Sequence, residues 1–125
     1  MGNQKYLRFE DLEVWQRAAK LSAEIYKNLK ILKDYGFRDQ ITKTSLSISS
    51  NIAEGFERQS HKEFIKFLIY AKGSCGELRS QIHIGIVINY IDSEAGKCWQ
   101  RETVKISSML SNLIKTRRTF LKNSL

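Results

Sequence analysis

"SISSNIAEGFERQSHKEF", Ser47 to Phe64, decides how this chain is built. It holds four serines, an asparagine and a glycine among scattered apolar residues, a composition that would suit a loop. The flanking pattern argues otherwise. From Asp39 an apolar stripe runs through Ile41, Ser45, Ile48, Ile52 and Phe56, with Leu46 and Ala53 beside it, and this spacing predicts a helix over 39–58. Ser, Thr and Asn are poorer helix formers than Ala by roughly half a kcal/mol each, so tertiary packing must hold the segment. Ser45, Ser49 and Ala53 stack at i, i+4 and i+8 and would let a neighbouring helix come close. Lys43, Ser47, Asn51, Glu54 and Arg58 form a polar stripe, with Glu54 and Arg58 in the favourable i,i+4 order.

Working outward, Ser60-His61-Lys62-Glu63 has the form of a capping box, in which hydroxyl and carboxylate each satisfy a free backbone N–H. A third helix over 61–89 follows, with Phe64, Phe67, Leu68, Ala71, Cys75, Leu78, Ile82 and Ile86 on one face. Ile65, Ile69, Gly73, Gly76, Ser80 and Val87 flank that face. An interior glycine costs about 1 kcal/mol against alanine, so Gly73 and Gly76 are expected at close helix contacts. Asn89 suits a left-handed C-cap and Asp92 an N-cap, which starts a fourth helix over 93–120.

Upstream, Leu12, Trp15, Ala19, Ser22, Tyr26 and Leu29 trace a first helix over 11–33, widened by Ala18, Ile25 and Leu32. Asp11 can serve at or near its N-cap, Glu13 and Arg17 pair, and Lys33 and Gly36 fit its end. Its outer face, with Arg17, Lys20, Glu24 and Lys27, is mixed in sign and reads as solvated.

The chain of 125 residues has 42% hydrophobic content and no proline, enough for one core built from uninterrupted helices. Short connections between long helices imply antiparallel neighbours. The expected fold is therefore all-α, a single domain over 1–125 forming an antiparallel up-down-up-down four-helix bundle. Cys75 and Cys98 lack zinc spacing and read as packing residues in a reducing interior. The first residues carry no apolar leader and the longest apolar run, Ile82 to Ile91, is short of a bilayer span, so a cytoplasmic protein without membrane attachment is expected.

Chemistry is not signalled. Di-iron bundles need Glu-x-x-His pairs, and the residues three before His61 and His83 are Arg58 and Ser80. Glu54 and Glu77 could face each other across neighbouring helices but lack imidazole partners, so no metal site and no cofactor are expected. No serine or cysteine sits in a nucleophile setting, and no catalytic residue is assigned. Arg79 and His83 come near the Arg and His pair of helical HEPN-type ribonucleases, with three intervening residues where four to six are usual; His83 reads as partly buried beside an apolar flank.

Charge is more informative. The formal net charge is +8. Residues 94–125 carry seven basic side chains against two acidic ones, most of the excess. On the fourth helix Trp99, Ile106, Met109, Leu110, Leu113, Ile114, Phe120 and Leu121 share an apolar arc of about 140°. Lys97, Arg101, Lys105, Lys115, Arg118 and Lys122 lie opposite. A one-sign stripe of this length can track phosphates, and without interleaved aromatics it would bind the backbone rather than stacked bases.

At "FEDLEVWQRA", "SISSNIAEGFERQSHKEFIKFLIYAKGSCGEL" and Tyr90-Ile91, from about Phe9 to Arg118, the chain resembles the 23S rRNA intervening-sequence protein family of bacterial helical bundles. Asn51, Glu54 and Gly55, followed by Lys62-Glu63-Phe64, carry the family motif, which reads as structural. The resemblance implies rings of five, since related proteins form them, and a link to the accessory bundle of diversity-generating retroelements, which works with a reverse transcriptase and nucleic acid. Ser49 replaces a usual proline and Thr42-Lys43 a usual arginine pair, which shifts the case for nucleic-acid contact onto the fourth helix.

The expectation is a non-enzymatic homo-oligomer, pentameric by resemblance, that binds RNA or DNA backbone through Lys97, Arg101, Lys105, Lys115, Arg118 and Lys122, helped by Lys43. The alternatives are a scaffold for an acidic protein partner such as a nucleic-acid enzyme, and the ribonuclease centred on Arg79 and His83.

Overall fold

The computed structural model describes residues 8–124. After a 3-10 turn at Phe9–Asp11, helix α1 spans Glu13–Asn28, α2 Tyr35–Glu57, α3 His61–Val87 and α4 Ser93–Ser124. Connections of three to six residues return each helix antiparallel to the last, and the result is an up-down-up-down four-helix bundle. Helix α3 packs extensively on both α2 and α4, while α1 closes the bundle. Ile25, Ile41, Ile48, Ile52, Leu68, Leu78, Ile82, Ile106 and Leu110 are its fully buried centre.

The serine-rich segment is helical because its hydroxyls find partners without disturbing the helix. Thr42, Thr44, Ser45 and Ser49 donate to carbonyls three or four residues back, at 2.7, 2.9, 2.8 and 3.2 Å. With the Ser45 proton on the Thr42 carbonyl, Ser22 of α1 is the donor in the buried Ser22–Ser45 contact of 2.9 Å. Ser47 lies 2.7 Å from Ser74 of α3. These short side chains let helices approach closely, and Gly55 marks a tight α2–α3 crossing: a Cβ there would lie 2.7 Å from the Phe67 Cβ.

The Asp92 cap forms as expected, and of the capping box at the third helix the serine half forms while the Glu63 carboxylate makes no bond back to the Ser60 amide. Ser60 Oγ accepts from the Glu63 amide at 3.3 Å and Asp92 Oδ2 from the Ala95 amide at 3.1 Å. The Glu63 carboxylate faces Arg58 and Lys66 at 3.6 and 3.7 Å. Asn89 takes the left-handed conformation at φ 65°, and the Tyr90 amide returns to the Gly85 carbonyl at 2.9 Å.

Several expectations are corrected. Helix α1 begins at Glu13 rather than 11, and Leu12, not Asp11, stands at its N-cap, with no side-chain cap bond. The first helix ends at Asn28 rather than 33 and the second begins at Tyr35 rather than 39. Asp34 caps α2 by accepting from the Phe37 amide at 3.1 Å, so Gly36 belongs to the first turn of α2 and not to the end of α1. The core seam of α1 runs through Val14, Ala18, Leu21 and Ile25, rotated from the Trp15, Ala19 and Tyr26 row, and Tyr26 is exposed. Leu46, placed beside the α2 stripe, is exposed as well. Gly73 and Gly76 make no intramolecular helix contact: a Cβ at either meets nothing within 4 Å.

Asp34 also accepts from the Tyr90 hydroxyl at 2.8 Å, tying the α1–α2 connection to the α3–α4 turn. The Phe37 amide, followed by the Tyr90 hydroxyl, holds its carboxyl below the ordinary value of 3.8. A carboxyl lowered in the folded state contributes fully above its unfolded pKa and loses that contribution as pH falls through the folded one. Asp34→Asn is therefore expected to be less stable than the parent at neutral pH, with the gap closing below about pH 4. Urea titrations at several pH values check this; a gap independent of pH would refute it.

Candidate nucleic-acid interface

Helix α4 turns Trp99, Thr103, Ile106, Leu110 and Ile114 inward, at spacings of four and three that keep one face on the core. The opposite arc follows from the same periodicity. Lys97, Arg101, Lys105, Lys115, Arg118 and Lys122 are all exposed, and none makes an ion pair among the described residues. From Lys97 to Lys122 the stripe extends about 37 Å at 1.5 Å per residue.

One of the two acids on α4 is drawn off the stripe by another helix. Of the two acids on α4, Glu102 is held in a two-pronged contact by Arg17 of α1, at 3.0 Å to Nε and 2.8 Å to Nη2. That bond raises the Arg17 pKa. Arg17 is thus an interhelix clamp, not the solvated side chain expected of that face. Glu94 remains in the first turn of α4, where the helix dipole favours an acid.

Arg117 does not join the stripe. Its guanidinium lies 4.9 Å over the Phe64 ring, with Nη1 3.3 Å from His61 Nδ1, and burial lowers its pKa. An arginine can only donate, so His61 Nδ1 accepts and its proton sits on Nε2. The His61 ring lies 5.6 Å from that of Phe120, which is half exposed and departs from the expected apolar arc.

Lys43 is placed apart. It lines a shallow groove between α2 and α3 with Asp39, Gln40, Thr44 and Glu77, a surface of mixed sign. Across α3 a second shallow groove is lined by Arg79, Lys97, Gln100, Arg101 and Val104. Arg79, read from sequence only as half of a ribonuclease pair, therefore stands beside the α4 stripe. The missing signal was the α3–α4 register, visible in the approach of Gly96 to Ile86.

The motif residues act on the fold. Asn51 Nδ2 donates to the Ser47 carbonyl at 2.8 Å, Glu54 accepts from Arg58 at 3.0 Å, and Gly55 permits the α2–α3 crossing. Glu54 does not face Glu77: the Ser47–Ser74 and Gly55–Phe67 contacts set a register that separates them by roughly 15 Å along the bundle. Among the described residues no group of three or more His, Cys, Asp or Glu could hold a metal. His83 is exposed rather than partly buried, and no hydrogen bond joins it to Arg79. Cys75 is buried and its thiol is pushed up to about 12 by desolvation, which disfavours the thiolate. Cys98, expected to pack, is exposed, because it falls beside the basic arc. Among the described residues no helix is long and apolar enough to cross a membrane.

These features define a small antiparallel four-helix bundle. A crystal structure from Bacteroides thetaiotaomicron VPI-5482, described as a protein of unknown function from the S23 ribosomal protein family, has the same fold. It superposes with a TM-score of 0.75 at 24% identity, covering 82% of this chain and 95% of its own. The chain belongs to the 23S rRNA-intervening sequence protein family, whose model matches residues 10–112. No curated protein matches it.

Proposed function

We propose that this chain is a non-enzymatic, oligomeric bundle protein of the cytoplasm that binds nucleic-acid backbone through Lys97, Arg101, Lys105, Lys115, Arg118 and Lys122. The observation that carries the reading is the absence of any ion pair on these six exposed cations among the described residues, while the nearby Glu102 is occupied by Arg17. Such a face attracts phosphates without reading bases. Lys43, in its groove with Asp39 and Glu77, stands outside the proposed contact. The test is binding of mixed-sequence RNA and DNA, duplex and single-stranded, by the parent and by a Lys105→Glu/Lys115→Glu variant. Loss of affinity in the variant supports the reading. Equal affinity removes the stripe from it, and capture of a protein that survives nuclease treatment would point to an acidic protein partner instead.

Assembly, with a pentamer favoured, is proposed through the outer face of α3. Ile69, Gly73, Gly76, Ser80, Ile84 and Val87 share one exposed stripe there, and the two glycines have open space above them. Two interior glycines cost about 2 kcal/mol of helix propensity in all, with no return inside one chain. A ring would repeat the basic face and raise avidity. Gly73→Leu/Gly76→Leu is expected to keep the helical fold, because each new side chain points into open space, and to abolish assembly in sedimentation velocity. A parent protein that stays monomeric over a broad concentration range would overturn the oligomer.

A further inference from the structure

The two grooves beside α3 differ in sign. The α2–α3 groove mixes Lys43 with Asp39 and Glu77, whereas the α3–α4 groove presents Arg79, Lys97 and Arg101 with the Gln100 amide and no carboxylate. Arg79 comes from one helix and the other three from its neighbour, so side chains of two helices line one shallow depression, largely with their apolar stems. Val104 supplies an apolar wall, half exposed between the charges. None of the three cations makes an ion pair among the described residues.

We propose that Arg79, Lys97, Arg101 and Gln100 form a seat for one phosphate of the nucleic-acid backbone, the point at which a strand is pinned to an otherwise sequence-tolerant face. The proposal rests on the nucleic-acid reading above and extends it to a residue outside α4. A phosphodiester offers two non-bridging oxygens and one negative charge. Guanidinium forks reaching it from α3 and α4 can each donate two parallel N–H bonds, which a lone lysine ammonium cannot match. Lys97 adds charge and the Gln100 amide a neutral donor. The other cations of the stripe, Lys105, Lys115, Arg118 and Lys122, lie outside this groove.

The test compares Arg79→Gln with Lys20→Gln, an equal change of charge on the exposed outer face of α1. With a mixed-sequence RNA strand as probe, Arg79→Gln is expected to weaken binding about tenfold and to lower the salt slope by about one, while Lys20→Gln changes affinity less than about twofold. Arg79→Lys, which keeps charge but not the fork, should fall between the parent and Arg79→Gln. If the parent binds and Arg79→Gln behaves like Lys20→Gln, the seat is overturned and the broader reading stands. If the parent binds no nucleic acid, the broader reading fails, and titration with inorganic phosphate followed by the arginine Nε–H resonances decides the seat separately. Arg79 and Arg101 shifting together upholds a phosphate site; signals that stay put overturn it.

Discussion

Gly55→Val is expected to destabilise the bundle by about 3 kcal/mol, roughly a hundredfold in the unfolding equilibrium, and to be the most damaging single change in the sequence motif. A Cβ at this position would lie 2.7 Å from the Phe67 Cβ, 3.0 Å from Phe64 Cδ1 and 3.3 Å from the Phe64 carbonyl oxygen. The first and last of these neighbours belong to or adjoin the α3 backbone, so rotating a side chain cannot relieve the contact. The two helices must separate, which opens the packing around Ile52 and Leu68, both fully buried. Valine recovers only a few tenths of a kcal/mol in helix propensity over glycine, about one-tenth of the loss. Urea denaturation of the two proteins measures the difference. An unchanged midpoint would mean that α2 and α3 do not meet at Gly55. Gly73 provides the contrast: with open space above it, Gly73→Ala carries no such penalty.

Binding to nucleic acid is expected to fall by about a thousandfold between 50 and 200 mM monovalent salt. If all six cations of the α4 stripe displace counterions, the slope of log affinity against log salt is about −5 on duplex and about −4 on a single strand. A fourfold rise in salt then lowers duplex affinity by roughly three orders of magnitude. Lys105→Glu/Lys115→Glu removes two contacts and adds local repulsion, so the slope should flatten by about two as affinity falls. Both quantities come from fluorescence anisotropy across a salt series. Affinity that is flat with salt, or a slope unchanged in the variant, would show that the phosphates are held elsewhere.

The pieces of this site differed in how far sequence could reveal them. Lys97, Arg101, Lys105, Lys115, Arg118 and Lys122 were legible because one helix carries them all, and a 100° step places them on one arc once the apolar side is recognised. Arg117 was harder to place. It sits next to Arg118 in sequence, yet its guanidinium lies on Phe64 and His61, residues of another helix. Arg79 was missed as a neighbour of the stripe for a similar reason, since only the alignment of α3 on α4 brings it beside Lys97 and Arg101. Lys43 was grouped with the stripe by its charge and its place where the resembled family has an arginine pair, and α3 stands between them.

The fold divides along the same line. Sequence by itself determined four helices, the Ser60 and Asp92 caps, the left-handed Asn89 and the one-sign face of α4, because each depends on residues within a turn or two of one another. Only the tertiary structure decided which row of α1 turns inward, which glycines bear a close contact, and that Arg17 removes Glu102 from the basic face. Those outcomes depend on groups brought together from distant parts of the chain. A wide apolar stripe satisfies burial at several rotations, and the shape of the neighbouring helix selects one.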